Sequence, residues 1–428
     1  MGIGLTILAV FVAGFALFAK RLSATAVTAP MVFIGLGYAM SASGLLPPES
    51  AEIGLHVVAE AALVLLLFLD ATQIDLAALR RAHILPARML FLGLPLTIAL
   101  GTLAAWPFLP GWPLFALALV GAILAPTDAA LGQAVVSNGQ VPDQSRRALI
   151  VESGLNDGLA LPAVLLFANL AAQAMDRDGI DWILFGAKQL ALGPLVGTVV
   201  GFAGGTMLLW AQKRRLTAEA FEGIGAVALA ASAYLLAVQV GGNGFIAAFV
   251  AGLCFGNVLK GRCKFVYEFT ESEGQILTWG VFFLLGAALL AKALNRLTPE
   301  ILGLILVSLL IVRPIAIWLS LLGTDASGAT RLFFGWLGPR GLATALFALL
   351  VVQDIGHGVA EPVLYIAINA VWIGVLLHGL TAVPGAQFYA SRIAAMGDCP
   401  ESRPVGQSAK PLTGMKPSDS GDGRGAGG

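Results

Sequence analysis

The sequence predicts an all-α polytopic membrane protein with about thirteen transmembrane helices. Three observations carry that expectation. The 428 residues are 58% hydrophobic and only 12% charged, with a mean hydropathy of +0.86, whereas soluble chains carry roughly 25% charged residues. Apolar runs long enough to cross a bilayer recur along nearly the whole length. Two of those runs are interrupted by proline beside ionisable residues, Ala125-Pro126-Thr127-Asp128 and Gly338-Pro339-Arg340-Gly341.

Bounded by charged or Pro/Gly-rich breaks, the runs lie at approximately 3–19, 26–44, 53–70, 87–106, 112–137, 147–171, 182–210, 220–240, 243–259, 276–292, 300–322, 331–353 and 361–383. In the first run, Lys20-Arg21 follow the apolar stretch, the reverse of a signal peptide, so it reads as an uncleaved span. The fifth and twelfth contain the two proline breaks. Proline removes a backbone donor and clashes with the preceding turn, so both should be broken or kinked there. They stand seven positions apart in the span order, so they cross in opposite directions, which points to two inverted repeats with a site near the midplane. The expected division is a transmembrane domain over 1–384, with repeats at approximately 3–171 and 220–383 joined by the span 182–210. From 385 to 428 the Gly/Ser/Pro-rich composition predicts a disordered cytoplasmic tail.

Basic residues set the orientation. Lys20-Arg21, Arg80-Arg81-Arg88, Arg146-Arg147, Lys213-Arg214-Arg215, Lys260-Arg262-Lys264 and Arg331 fall in alternate loops. The opposite loops mix Arg177, Lys188, Lys292 and Arg296 with acids. The positive-inside rule then places the N-terminus outside and the C-terminus in the cytoplasm. A Walker-type loop is absent, which argues against transport driven by this chain's own ATP hydrolysis. Cys254, Cys263 and Cys399 have no metal-type spacing.

Ionisable residues at bilayer depth are costly and are functional by default. The sixth run opens with Val151-Glu152-Ser153-Gly154-Leu155-Asn156-Asp157-Gly158. Helical spacing puts Glu152 with Asn156 on one stripe and Ser153 with Asp157 on the next, while Gly154 and Gly158 admit a neighbouring helix. Thr127, Asp128 and carbonyls freed at the fifth-run break add oxygen ligands suited to a small hard cation. Asp128, Glu152 and Asp157 against Arg313 and Arg340 leave a net charge of −1, which one monovalent cation or one proton would neutralise.

Pro126-Thr127-Asp128, Glu152 to Gly158, Val312-Arg313-Pro314 and Gly338-Pro339-Arg340-Gly341 together resemble the monovalent cation:proton antiporter-1 family, over residues 1 to about 390. That family holds the NhaP-type sodium/proton antiporters and the animal sodium/hydrogen exchangers. The resemblance implies an NhaA/NhaP-like antiporter fold, a homodimer in the inner (cell) membrane, and a role in pH and cation homeostasis. It implies exchange of sodium, or else lithium or potassium, for protons, with the ions as substrates and no cofactor. Asp157 would alternate between cation and proton. Asp157 and Asp128 would contact the transported sodium directly, with Thr127, Ser153 and Asn156 completing the site. Glu152 would pair with Arg313. Asn156 occupies the position of a second aspartate in electrogenic relatives, so the exchange would be electroneutral. The chain reads Thr127-Asp128-Ala129 where NhaP-type members usually have Thr-Asp-Pro.

Plainer readings exist for several of these residues. Glu152 and Arg313 fit a structural ion pair. Arg340 fits ion-site electrostatics or a partner for helix-end carbonyls. Thr127 and Ser153 could back-bond their own helices. Glu60 fits a subunit interface or the outer headgroups, and Asp70 with Asp75 fits a solvated patch beside Arg80-Arg81. The four histidines have no clustered partners. Two intramembrane aspartates also suit an aspartyl protease, but its Gly-x-Gly-Asp motif is missing. A transporter-like sensor without transport is the third class; the intact set of carboxylates argues against it. No nucleic-acid-binding pattern is present.

Overall fold

The structure is a computed structural model that describes residues 2–22, 25, 27–74, 76, 84–128, 139–175, 182–260, 264–355, 357–397 and 399–402. Among these residues the regular structure is entirely helical. The first three helices are α1 (Gly2–Leu22), α2 (Ala29–Ala42) and α3 (Pro48–Thr72). Helix α4 (Ile84–Phe108) is followed by α5 (Leu114–Ile123), which unwinds at residues 124–128. Residues 129–137, expected to continue this fifth span, lie outside the described residues. Then come α6 (Asp143–Met175), α7 (Trp182–Lys213), α8 (Glu219–Gln239) and α9 (Gly244–Leu259). Helix α10 (Lys264–Ala288) breaks at Leu289 into the short α11 (Leu290–Asn295). Helix α12 (Pro299–Ser320) precedes α13 (Gly328–Trp336), an unwound stretch at 337–341, and α14 (Leu342–Ile355). The long α15 (His357–Met396) ends the bundle. Among the described residues, seven helical stretches are long and apolar enough to span a membrane, and shorter apolar helices accompany them.

Helices α2, α3 and α7–α10 pack mainly on one another, and so do α4–α6 and α12–α15, while α11 lies against both α10 and α15. Contacts between these two groups are sparser, and include α3 against α6 and α14, α6 against α7 and α9, and α15 against α2. Small residues allow the closest approaches within the first group. A Cβ built on Gly252 or Gly256 of α9 would sit 2.1 Å from the Phe68 or Thr72 carbonyl oxygen of α3.

Helices α4 and α12 share a local device. Each contains a π-helical turn, Met89–Gly93 and Ser308–Val312, followed by Leu94-Pro95 and Arg313-Pro314. A proline ring clashes with the carbonyl four residues back, and the wider turn relieves that clash. The Leu94 amide accordingly reaches back to Met89 O, and the Arg313 amide to Ser308 O. The matched pair accompanies the two unwound stretches at 124–128 and 337–341.

The boundary expected after residue 384 falls inside α15, which continues through Pro384 to Met396. Ala386, Tyr389 and Ile393 recur at helical spacing and join Cys399 in a second apolar cluster with Phe333, Phe334 and Ile317. Composition alone hides that stripe among small and polar residues. Pro400–Ser402 form a 3₁₀ turn with Glu401 buried, and residues 403–428 lie outside the described residues.

Candidate functional site

The two unwound stretches cross and hold each other. The Asp128 amide donates to Pro339 O at 3.0 Å, and the Leu342 amide donates to Asp128 Oδ2 at 3.0 Å. Leu342 is the first residue of α14, so a carboxylate from one stretch meets the positive end of the helix that resumes after the other. Arg340 does the converse. Its Nη1 donates to Ala125 O at 3.2 Å and Pro126 O at 3.4 Å, where α5 has unwound, and its Nη2 donates to Ser308 Oγ at 3.4 Å. Of the two readings open for Arg340, its contacts match the partner of helix-end carbonyls. Gly341 has to be glycine here, because a Cβ would lie 2.0 Å from Asp128 Oδ2.

Beneath the crossing lies a buried polar network. Arg313 Nη2 donates to Glu152 Oε1 at 3.1 Å, with the two side chains 3% and 4% exposed, and also to Leu337 O at 3.3 Å. Asn156 Nδ2 donates to Thr127 Oγ1 and, at 3.4 Å, to Glu152 Oε1. Thr127 Oγ1 lies 3.5 Å from Glu152 Oε2 and 3.4 Å from Ser153 Oγ. Thr127 therefore joins this network through its hydroxyl. Taking the ion pair out of water costs several kcal/mol per charge, which these hydrogen bonds offset. Gly338 makes room for Arg313: a Cβ there would lie 1.6 Å from Arg313 Nε.

Asp157 stands at the edge of that network. Its Oδ1 and the Oδ1 of Asn156 are buried without a hydrogen-bond partner among the described residues. Unpartnered buried oxygens are rare and call for an explanation. The charges that act on Asp157 are the carboxylates of Asp70, Asp128 and Glu152. Asp70 was expected in a solvated surface patch, and the structure corrects this. It sits near the end of α3 against Gly154 of α6, where a built Cβ would be 3.9 Å from Asp70 Cβ. The available signal was its position at the close of an apolar run, where an acid is functional by default.

One face of α6 leads to Asp157. Residues 143, 147, 150, 154, 157, 161, 164 and 168 share that face by their three- and four-residue spacing. Asp143, Arg147 and Ile150 are exposed, and Gly154 and Asp157 are partly exposed. Leu161, Val164 and Ala168 are buried. Exposure along this face thus falls from the start of α6 toward Leu161.

The chain matches the family described as sodium/hydrogen exchanger, transmembrane, over residues 7–387. It belongs to that family. Sodium/hydrogen exchangers are cation:proton antiporters, not enzymes, and this member is a multi-pass membrane protein. The K(+)/H(+) antiporter NhaP of Alkalimonas amylolytica is 28% identical over 399 residues, covering 90% of this chain and 67% of the relative. The K(+)/H(+) antiporter NhaP2 of Shewanella oneidensis is 27% identical over 359 residues, covering 82% of this chain and 60% of the relative. This exchanger-family chain therefore spans about two thirds or less of the length of those relatives. The solved sodium proton antiporter MjNhaP1 of Methanocaldococcus jannaschii shares the fold, with a TM-score of 0.72 at 19% identity, over 91% of this chain and 99% of that one.

Proposed function

We propose that this protein exchanges an alkali-metal cation for protons across a cell membrane, with Asp157 as the carboxylate that holds one or the other. The observation that carries the reading is Asp157 itself, an acid with an unpartnered buried oxygen on the face of α6 whose exposure falls from Asp143 to Leu161. Asn156 Oδ1, Thr127, Ser153 and Asp128 supply the neutral and charged oxygens around it. Asp157 and Asp128 are the direct ligands of the transported ion in this reading, Glu152 with Arg313 holds the frame, and Arg340 fastens the unwound stretch. Cation and proton compete because each satisfies the same carboxylate. The ions are substrates, and the reading calls for no cofactor.

Sodium is the first choice of cation. The relatives named K(+)/H(+) antiporters support potassium as a second reading. One ion exchanged for one proton makes the cycle electroneutral, since Asn156 holds no titrating proton. The positive-inside pattern puts the start of α6 in the cytoplasm, so the exposed end of the Asp157 face lies inward and access from that side is part of the proposal. A homodimer is part of the proposal. Glu60, midway along α3, is exposed and accepts a hydrogen bond from Tyr234 Oη at 2.6 Å, and a carboxylate at that depth is costly against lipid. Purified protein in vesicles containing a pH dye tests the activity: sodium, lithium and potassium are added in turn. Proton movement that follows a cation gradient supports exchange and ranks the ions. No proton movement with any of the three contradicts it.

A further inference from the structure

We propose that Asn369 is the latch that closes the far side of the exchanger, by bonding α15 to the carbonyl of Ala293 on α11. The proposal rests on the exchange activity proposed above. Asn369 is 0% exposed, and its amide orientation is fixed by chemistry. Trp372 Nε1 can only donate, and it donates to Asn369 Oδ1 at 2.8 Å. The Nδ2 group therefore faces two acceptors, Ala293 O at 2.8 Å and Tyr365 O at 2.9 Å. Every hydrogen-bonding position of the amide nitrogen is used, and one of its two bonds leaves α15 for the other helix group.

The location gives this bond its role. Helix α15 packs with the helices that carry Thr127, Glu152, Asp157 and Arg340, whereas α11 continues from α10 after the break at Leu289 and is bonded to α3 through Lys292 and Glu52. Helix α11 packs against both α10 and α15 and so bridges the two groups. Spans six and ten cross in the same direction, so α11, at the end of α10, falls on the side where the Asp157 face of α6 is buried from Leu161 onward. Beside it, Lys292 Nζ donates to Glu52 Oε2 at 2.7 Å and Tyr365 Oη donates to Glu361 Oε1 at 3.0 Å. Each of those bonds stays within its own group, so neither resists separation. The Asn369–Ala293 bond does resist it. For Asp157 to meet the far compartment, α15 has to move away from α11, and this bond has to break.

The test uses full-length protein in vesicles, with Cys254, Cys263 and Cys399 replaced by alanine and a reporter cysteine at Val164. A membrane-impermeant maleimide applied from the outer side reads how often the buried part of the α6 face opens. Asn369→Leu keeps the bulk and removes the bond, so labelling should speed up by about tenfold, the scale of one lost buried hydrogen bond. Equal labelling rates for the two folded proteins would overturn the latch. In a second measurement, cysteines at Ala293 and Asn369 are joined by a short bifunctional thiol reagent. The link should abolish both outer labelling and exchange, and reductant should restore both. Linked protein that still exchanges would overturn the proposal. If the unlinked protein shows no cation-driven proton movement, the activity reading fails instead, and the labelling comparison still decides the latch.

Discussion

Asp128 and Leu342 tie the two unwound crossings together, through the Leu342 amide on Asp128 Oδ2 at 3.0 Å. The carboxylate closest to the crossing is thus held by a helix end. Gly341 permits this approach, since a Cβ there would fall 2.0 Å from the same oxygen. Gly341→Ala should reduce exchange about tenfold or more, the scale of a lost hydrogen bond to a charged group. Gly35→Ala, where a Cβ meets nothing within 4 Å, is the control and should exchange at the normal rate. Equal rates for both variants would detach Asp128 from the mechanism.

Glu152 and Arg313 form a buried ion pair at 3.1 Å, and removing one partner leaves an uncompensated charge costing about 3–5 kcal/mol. Glu152→Gln or Arg313→Gln should lower the melting temperature in detergent, and the double variant should recover part of the loss. Strictly additive losses would mean that the pair is not coupled in solution.

The crossing was legible from sequence because Pro126 and Pro339 lie inside apolar runs where a helix would otherwise continue. The oxygen-rich set on α6 was legible from helical spacing. Asp70 was not: it closes a run just before basic residues, the same pattern as a surface patch, and only packing brings α3 against Gly154. The end of α15 was hidden for a different reason. Its buried stripe of Ala386, Tyr389 and Ile393 is diluted by glycine, serine and arginine, and hydropathy averages across it. The latch at Asn369 depends on a carbonyl of a distant helix, which sequence spacing does not record.

Asp70 sharpens the question of stoichiometry. With it, four carboxylates (Asp70, Asp128, Glu152 and Asp157) face two guanidiniums (Arg313 and Arg340), a net charge of −2. Only Asp157 has to change its proton for one-for-one exchange, so an imposed membrane potential should leave the rate unchanged. Asp70→Asn should then shift the apparent cation affinity while exchange stays voltage-independent. Vesicles clamped with valinomycin and potassium read this directly, provided potassium is not itself carried. Proton uptake driven by voltage alone in the wild type, lost in Asp70→Asn, would assign a second transported proton to Asp70.

Glu401 anchors the last turn of the described chain. Its Oε1 accepts from the Ser327 amide at 2.8 Å and Thr330 Oγ1 at 2.6 Å, and Thr330 lies 2.9 Å from Tyr389 Oη. Burial pushes its pKa up, but the hydrogen bonds from Thr330 and the Ser327 amide outweigh that and hold the carboxyl below the ordinary glutamate value. A carboxylate with a depressed folded-state pKa stabilises the fold above its unfolded pKa, and the gain is lost as pH falls through the folded one. Glu401→Gln should therefore melt below wild type at neutral pH, and the gap should shrink in acid, below about pH 4. A gap that is constant with pH would show that the charge on Glu401 contributes nothing.

The most direct measurement of the central claim is sodium-driven proton movement by Asp157→Asn in vesicles containing a pH dye, beside wild type and a potassium series. The substitution keeps the shape of the side chain and removes its titrating charge. The account predicts a variant that folds and elutes like wild type and moves no protons when any of these cations is added. Proton movement by Asp157→Asn at a rate comparable to wild type would contradict it.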